Sequence, residues 1–68
     1  MKVQEVKGRM VAKGIEAEKL AKAMKMNPST FYRKLKNNGQ DFTVGDLQVM
    51  KAMLGLTDSE AVDILIYS

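Results

Sequence analysis

The chain contains no cysteine, no histidine and a single proline, Pro28. Without cysteine it has neither a disulfide framework nor a thiolate metal site. Without histidine it lacks a hydrolytic triad, an imidazole base and the usual zinc ligands. No apolar run approaches the roughly 20 residues of a membrane span. The first ten residues, "MKVQEVKGRM", are charged and read as helix rather than as a signal peptide, so a cytoplasmic protein with no membrane partner is expected. Repeats, low-complexity runs and linkers are also absent. The 68 residues therefore form one small domain, residues 1–68. A chain of that size buries only about 60% of its unfolded surface and has modest stability.

The net charge of +3 is mild, but its distribution is uneven. Residues 1–38 carry ten bases against three acids, a balance of +7, whereas residues 39–68 carry one base against five acids, a balance of −4. A split of this kind points to a polyanionic partner for the basic half; a lopsided solvated surface is the plainer alternative.

Punctuation residues cut the chain into five helical pieces, at about 2–13, 17–25, 28–37, 44–54 and 58–66. Val3, Val6 and Met10 form one stripe, ended by Gly14. Leu20, Ala21 and Met24 form the second, which starts after Glu16, a weak cap. Asn27 caps the third, with Pro28 at its first position and Phe31 and Leu35 on its inner face. Thr43 with Asp46, and Thr57 with Glu60, match capping boxes for the fourth and fifth. Val44, Leu47, Met50 and Leu54 are expected inside the fourth, and Ala61, Ile64 and Leu65 inside the fifth. Phe42-Thr43-Val44 is too short to be a useful strand. The fold class is all-α, with short helix connections.

The second and third helices are joined by a turn of three or four residues around Lys25-Met26-Asn27. A helix, a tight turn and a second helix can set that second helix in a DNA major groove. Ala21 is small where the two helices cross, Met24 and Met26 flank the turn, and Phe31 packs the third helix onto the second. The third helix is rich in hydroxyl, amide and positive groups on its remaining faces.

The stretch "EKLAKAMKMNPSTFYRKLKNNGQDFTVGDLQVMKAMLGL" resembles the helix-turn-helix domain of the phage Cro and repressor family, the XRE-type family. Over nearly its whole length the chain is similar to the small Cro-like regulators of phages and prophages of Gram-positive bacteria. The likeness rests on Leu20-Ala21, Met24 and Met26, Ser29-Thr30-Phe31, and the later "LxxMKAMLGL" pattern. It implies a compact five-helix bundle of the lambda-repressor-like kind. Two positions depart from the family: Lys25 stands where glycine is usual in the turn, and Ala17 stands where glutamine often binds a phosphate.

The resemblance implies a sequence-specific double-stranded DNA-binding regulator, a repressor acting at an operator, with no cofactor. Arg33, mid-helix on the outer side, is the leading base contact, bidentate to guanine; a phosphate contact is the other reading. Tyr32 meets a thymine methyl or a phosphate, or packs. Ser29 and Thr30 lie in the first turn, where recognition helices reach base edges, and Pro28 can offer its ring to a thymine methyl. Lys36, Asn37 and Asn38 at the helix end, together with Lys19, Lys22 and Lys34, are expected on the backbone.

No catalytic constellation is present. Asp58, Glu60 and Asp63 open an ordinary helix, so an enzyme is not expected. A rival reading is an anti-repressor that keeps the fold and binds another phage regulator. One recognition helix reads few base pairs, so a homodimer on DNA is expected. Its surface would involve the tail "AVDILIYS", where one helix face cannot bury Ile64, Leu65, Ile66 and Tyr67 together. The alternative is that Ile66 and Tyr67 fold back onto the first helix.

Overall fold

A helix leaves its first N–H groups and last C=O groups without partners, and in this chain side chains and turns supply them. The structure is a computed structural model and describes residues 1–67; Ser68, the last residue of the expected domain, lies outside them. Helix α1 spans Val3–Lys13, α2 Ala17–Ala23, α3 Pro28–Lys36, α4 Val44–Leu54 and α5 Asp58–Ala61, and α5 runs on into a π-helical segment, Val62–Ile66. No strand occurs among the described residues, and no helix among them is long and apolar enough to cross a membrane. The radius of gyration is 10.5 Å, against about 11 Å for a compact chain of this length.

Three N-termini are closed by side chains. Asn27 Oδ1 accepts from the Ser29 N–H at 2.9 Å. Thr43 and Asp46 satisfy each other's backbone N–H at 3.0 Å in both directions. Thr57 and Glu60 do the same at 3.1 and 3.0 Å. Glu16 precedes α2 without a side-chain cap.

The C-termini of α1 to α4 share one device, a residue in left-handed conformation followed by a backbone bond that reaches back five residues. The left-handed residues are Gly14, Lys25, Asn38 and Gly55. The returning bonds run from Ile15 to Met10, Met26 to Ala21, Gly39 to Lys34 and Leu56 to Lys51, at 2.8–3.0 Å. This device corrects two expected boundaries. Helix α2 ends at Ala23 rather than Lys25, because Lys25 at φ 58° has already left the helix. Helix α3 ends at Lys36 rather than Asn37.

One core joins the helices. Val6, Leu20, Ala21, Phe31, Met50 and Leu54 are fully buried, with Met10, Met24, Leu35, Ile64 and Leu65 nearly so. Val44 departs from expectation: it is 73% exposed, not part of the inner face of α4. At the first turn of α4 its direction is set by Thr43 and the cap, and Leu47 three residues on is the first to reach the core. Three core residues, Ala17, Phe42 and Leu56, lie outside the expected stripes. Phe42 and Leu56 are buried, and each stands just before a capping threonine, the N′ position of a hydrophobic staple. Their N4 counterparts, Leu47 and Ala61, are packed against the same core.

The C-terminal helix does not stay α-helical over residues 58–66. After Ala61 it widens, and the Tyr67 N–H bonds to the Val62 carbonyl at 3.0 Å, a five-residue step. The Lys2 N–H donates to the Ile64 carbonyl at 2.8 Å, so the first residues pin the widened turn from outside. Ile64 and Leu65 are buried side by side, while Ile66 and Tyr67 are 61% and 63% exposed. Neither folds back onto α1.

Ion pairs tie α1 and α4 to this end of the molecule. Lys2 meets Asp63 at 2.8 Å and Arg9 meets Glu60 at 2.7 Å. Lys51 pairs with Asp58. A hydrogen bond and the charge of Lys51 hold the Asp58 carboxyl below its ordinary range. The Thr57 backbone N–H, and then Arg9, do the same for Glu60. Exposed pairs of this sort are screened by solvent and contribute little, so they orient the ends more than they stabilise them.

Phe31→Ala is expected to cost about 3–5 kcal/mol. For so short a chain that is most of a total on the order of 3–10 kcal/mol, so the thermal transition should drop steeply or vanish. A melt near wild type would mean that Phe31 does not hold α3 in place.

Candidate nucleic-acid interface

The turn between α2 and α3 is four residues long, Met24 to Asn27. Lys25 supplies the left-handed step there without being glycine, at a cost of about 1 kcal/mol from its Cβ. Met26 then drops back as a half-buried anchor, and Asn27 opens α3.

Successive α-helical residues are about 100° apart. With Phe31 and Leu35 buried, Arg33 lies opposite the core, and Ser29 and Lys36 lie within about 60° of it. All three are exposed. Tyr32 lies further round, on the flank toward α1; it is 57% exposed, and its ring stands edge-on to Phe31 at 6.1 Å. Asn37 and Asn38 are exposed at the C-terminal end, as are Lys19 and Lys22 on α2.

Three candidates are less free. Pro28 and Thr30 are half-buried. Lys34 is half-buried as well, with its ammonium 6.0 Å from the centre of the Phe42 ring. Two others carry prior bonds. Ser29 Oγ donates to Asn27 Oδ1 at 2.8 Å, so its proton is committed to the cap and its oxygen faces outward as an acceptor. Asn37 Nδ2 donates to Asp41 at 3.0 Å, which brings a carboxylate close to the end of α3. Ala17 is buried, so no polar group projects from the first turn of α2 at that position.

The electrostatics set this face apart. Residues 17–38 carry six bases, Lys19, Lys22, Lys25, Arg33, Lys34 and Lys36, against Glu18 alone. None of the six is in an ion pair among the described residues. The acidic side chains of the C-terminal helix are matched instead with Lys2, Arg9 and Lys51. The three bases of the last turns of α3 suit the negative end of its dipole, which offsets part of their mutual repulsion. No cluster of three acidic side chains arranged to hold a metal ion occurs among the described residues.

Comparison with known protein families, with curated proteins and with solved structures finds no match to this chain.

Lys25→Gly tests the turn. Glycine removes the left-handed strain but loosens the unfolded chain, and the two effects are each on the order of 1 kcal/mol. The melting temperature is expected to be unchanged or slightly raised; a clear fall would mean that Lys25 contributes a contact of its own.

Proposed function

We propose that the chain is a sequence-specific double-stranded DNA-binding regulator of the Cro or repressor kind, with α2, the turn and α3 acting as a helix-turn-helix. The observation that carries this reading is that the six cations of α2, the turn and α3 are in no ion pair among the described residues, with Arg33 on the outer side of α3. An exposed helix studded with uncompensated cations is unfavourable in isolation, and a polyanion relieves it. Glycine is not required in the turn, since Lys25 adopts the left-handed step.

On this reading α3 enters the major groove. Arg33 reads guanine through its two parallel N–H donors. Ser29 accepts from a base amino group, and Thr30 and Pro28 make closer apolar or hydroxyl contacts at the helix start. Tyr32 works at the flank. Lys19, Lys22, Lys36, Asn37 and Asn38 register the domain on phosphates, with Lys34 a weaker member because of its position over Phe42. The rival anti-repressor reading predicts capture of a partner regulator without DNA affinity.

Arg33→Ala is expected to weaken the specific complex by about 1–3 kcal/mol and to relax preference at one or two base pairs. Selection of bound duplexes from a random pool, followed by binding curves on the selected and a scrambled site, measures both. Equal loss on the two sites would reduce Arg33 to a phosphate contact, and a wild-type protein that selects nothing would sink the reading.

A regulator of this size needs two copies on its operator. Val62, Ile66 and Val44 expose apolar surface around a groove of about 350 Å³ between α4 and the C-terminal helix. The same half carries the acidic excess, so two copies repel weakly as they approach. A monomer or weak dimer is expected in solution, with Kd on the order of micromolar or above, about −8 kcal/mol or weaker, and two chains on DNA. Sedimentation of the free protein and of the complex decides this; a nanomolar dimer without DNA, or one chain on the full operator, would refute it.

A further inference from the structure

Lys7 on α1, Tyr32 and Lys36 on α3, and the aliphatic parts of Val3 and Leu35 line a recess of about 340 Å³ between the two helices. None of its lining residues is acidic, and neither Lys7 nor Lys36 is in an ion pair among the described residues. Both lysines are exposed, and Tyr32 is mostly so. Val3 and Lys7 are four apart on α1, as Tyr32 and Lys36 are on α3, so each helix gives one ridge to the lining, which combines apolar, ammonium-bearing and phenolic side chains.

We propose that this recess binds one phosphate of the DNA backbone, and that α1 is therefore part of the DNA interface through Lys7. The proposal rests on the reading of α3 as the helix that enters the groove. An α-helix with its side chains is about 10–12 Å across, and the major groove is about 12 Å wide. A helix seated there meets bases with its outward residues and the sugar–phosphate walls with its flanks. Tyr32 and Lys36 lie on one flank, about 100° and 60° round from Arg33 toward the same side. Lys7 comes to that flank from a different element. Two ammonium groups and a phenol hydroxyl can all donate, and their side chains line one recess on the flank where a wall of the groove would pass. A base edge is disfavoured there, because the recess lies off the outward axis and offers no planar fork or amide for bidentate pairing.

The test uses random-sequence duplex, since a phosphate contact needs no operator. Binding of the full chain is followed over a salt series for the wild type, Lys7→Gln, Lys7→Arg and Lys13→Gln. Lys13 is also on α1, but its ammonium lies beside Gly55 at the end of α4, away from the recess. Lys7→Gln should lower the slope of log affinity against log salt by about 0.9 and weaken binding about eightfold near 0.1 M salt. Lys7→Arg should keep the wild-type slope, and Lys13→Gln should leave it nearly unchanged. A wild-type slope in Lys7→Gln, or an equal drop in Lys13→Gln, overturns the phosphate site while leaving the DNA-binding reading standing. A wild-type chain that binds neither random nor selected duplex overturns that reading and the site with it.

Discussion

Phe31 is buried where α3 meets α2 and the residues that lead into α4, with the Phe42 ring 5.8 Å from its own. Its position sets the rotation of α3 about its axis. With Phe31 inside, and Leu35 one turn on also inside, Arg33 has no choice but to face outward, and Ser29, Lys36 and Tyr32 take the adjoining directions. A rotation of α3 by one residue, about 100°, would bring Tyr32 inward and carry the arginine to the flank. The chemistry of the outer face is thus a consequence of one aromatic side chain. Ala21 of α2 is buried in the same core, and its small side chain suits a close approach of α2 and α3.

The charge of the chain is sorted by contact as well as by position. Lys2, just before α1, and Arg9, on α1, reach Asp63 and Glu60, and Lys51 meets Asp58. The acidic half therefore consumes some basic residues that are remote from α3 and none that are near it. What remains on α2 and α3 is a surplus of positive charge that is in no ion pair among the described residues. The Thr57–Glu60 cap and the Arg9–Glu60 pair use the same carboxylate, so one side chain both starts α5 and ties it to α1.

So small a core cannot cover every apolar group. Val11, Val44, Ile66 and Tyr67 are left in solvent, each an exposed area that would favour contact with something else. The widened π turn is the local compromise. An α-helical continuation would bring Ile64, Leu65, Ile66 and Tyr67 successively round the axis, whereas the wider turn, pinned by the Lys2 N–H, buries two neighbours and releases the next two.

Helix starts and the inner residues of α2 and α3 could be read directly, because caps and periodicity are local codes. Asn27 with Pro28, Thr43 with Asp46, and Thr57 with Glu60 each announce a start whose bonds are made within three residues. Gly14 and Gly55 announced stops for the same reason. Phe42 and Leu56 carried a signal that periodicity does not register, an apolar residue just before a capping threonine. Lys25 carried none: a lysine has no preference for left-handed backbone, and only the closing bond from Met26 to Ala21 forces it there. The contacts already made by Ser29, Asn37 and Lys34 were likewise invisible, since Asn27, Asp41 and Phe42 reach them through turn geometry rather than helical spacing. By itself the sequence determined the all-α class, the segments that become helices, the inner face of α3 and the surplus of positive charge in the first half, all of which follow from neighbours within about one turn. The tertiary structure decided which cations stay unpaired, that Lys7 of α1 stands beside Tyr32 and Lys36, and that the tail ends in a π turn with Ile66 and Tyr67 outside. These depend on how separate helices are set against one another, and no local periodicity encodes that.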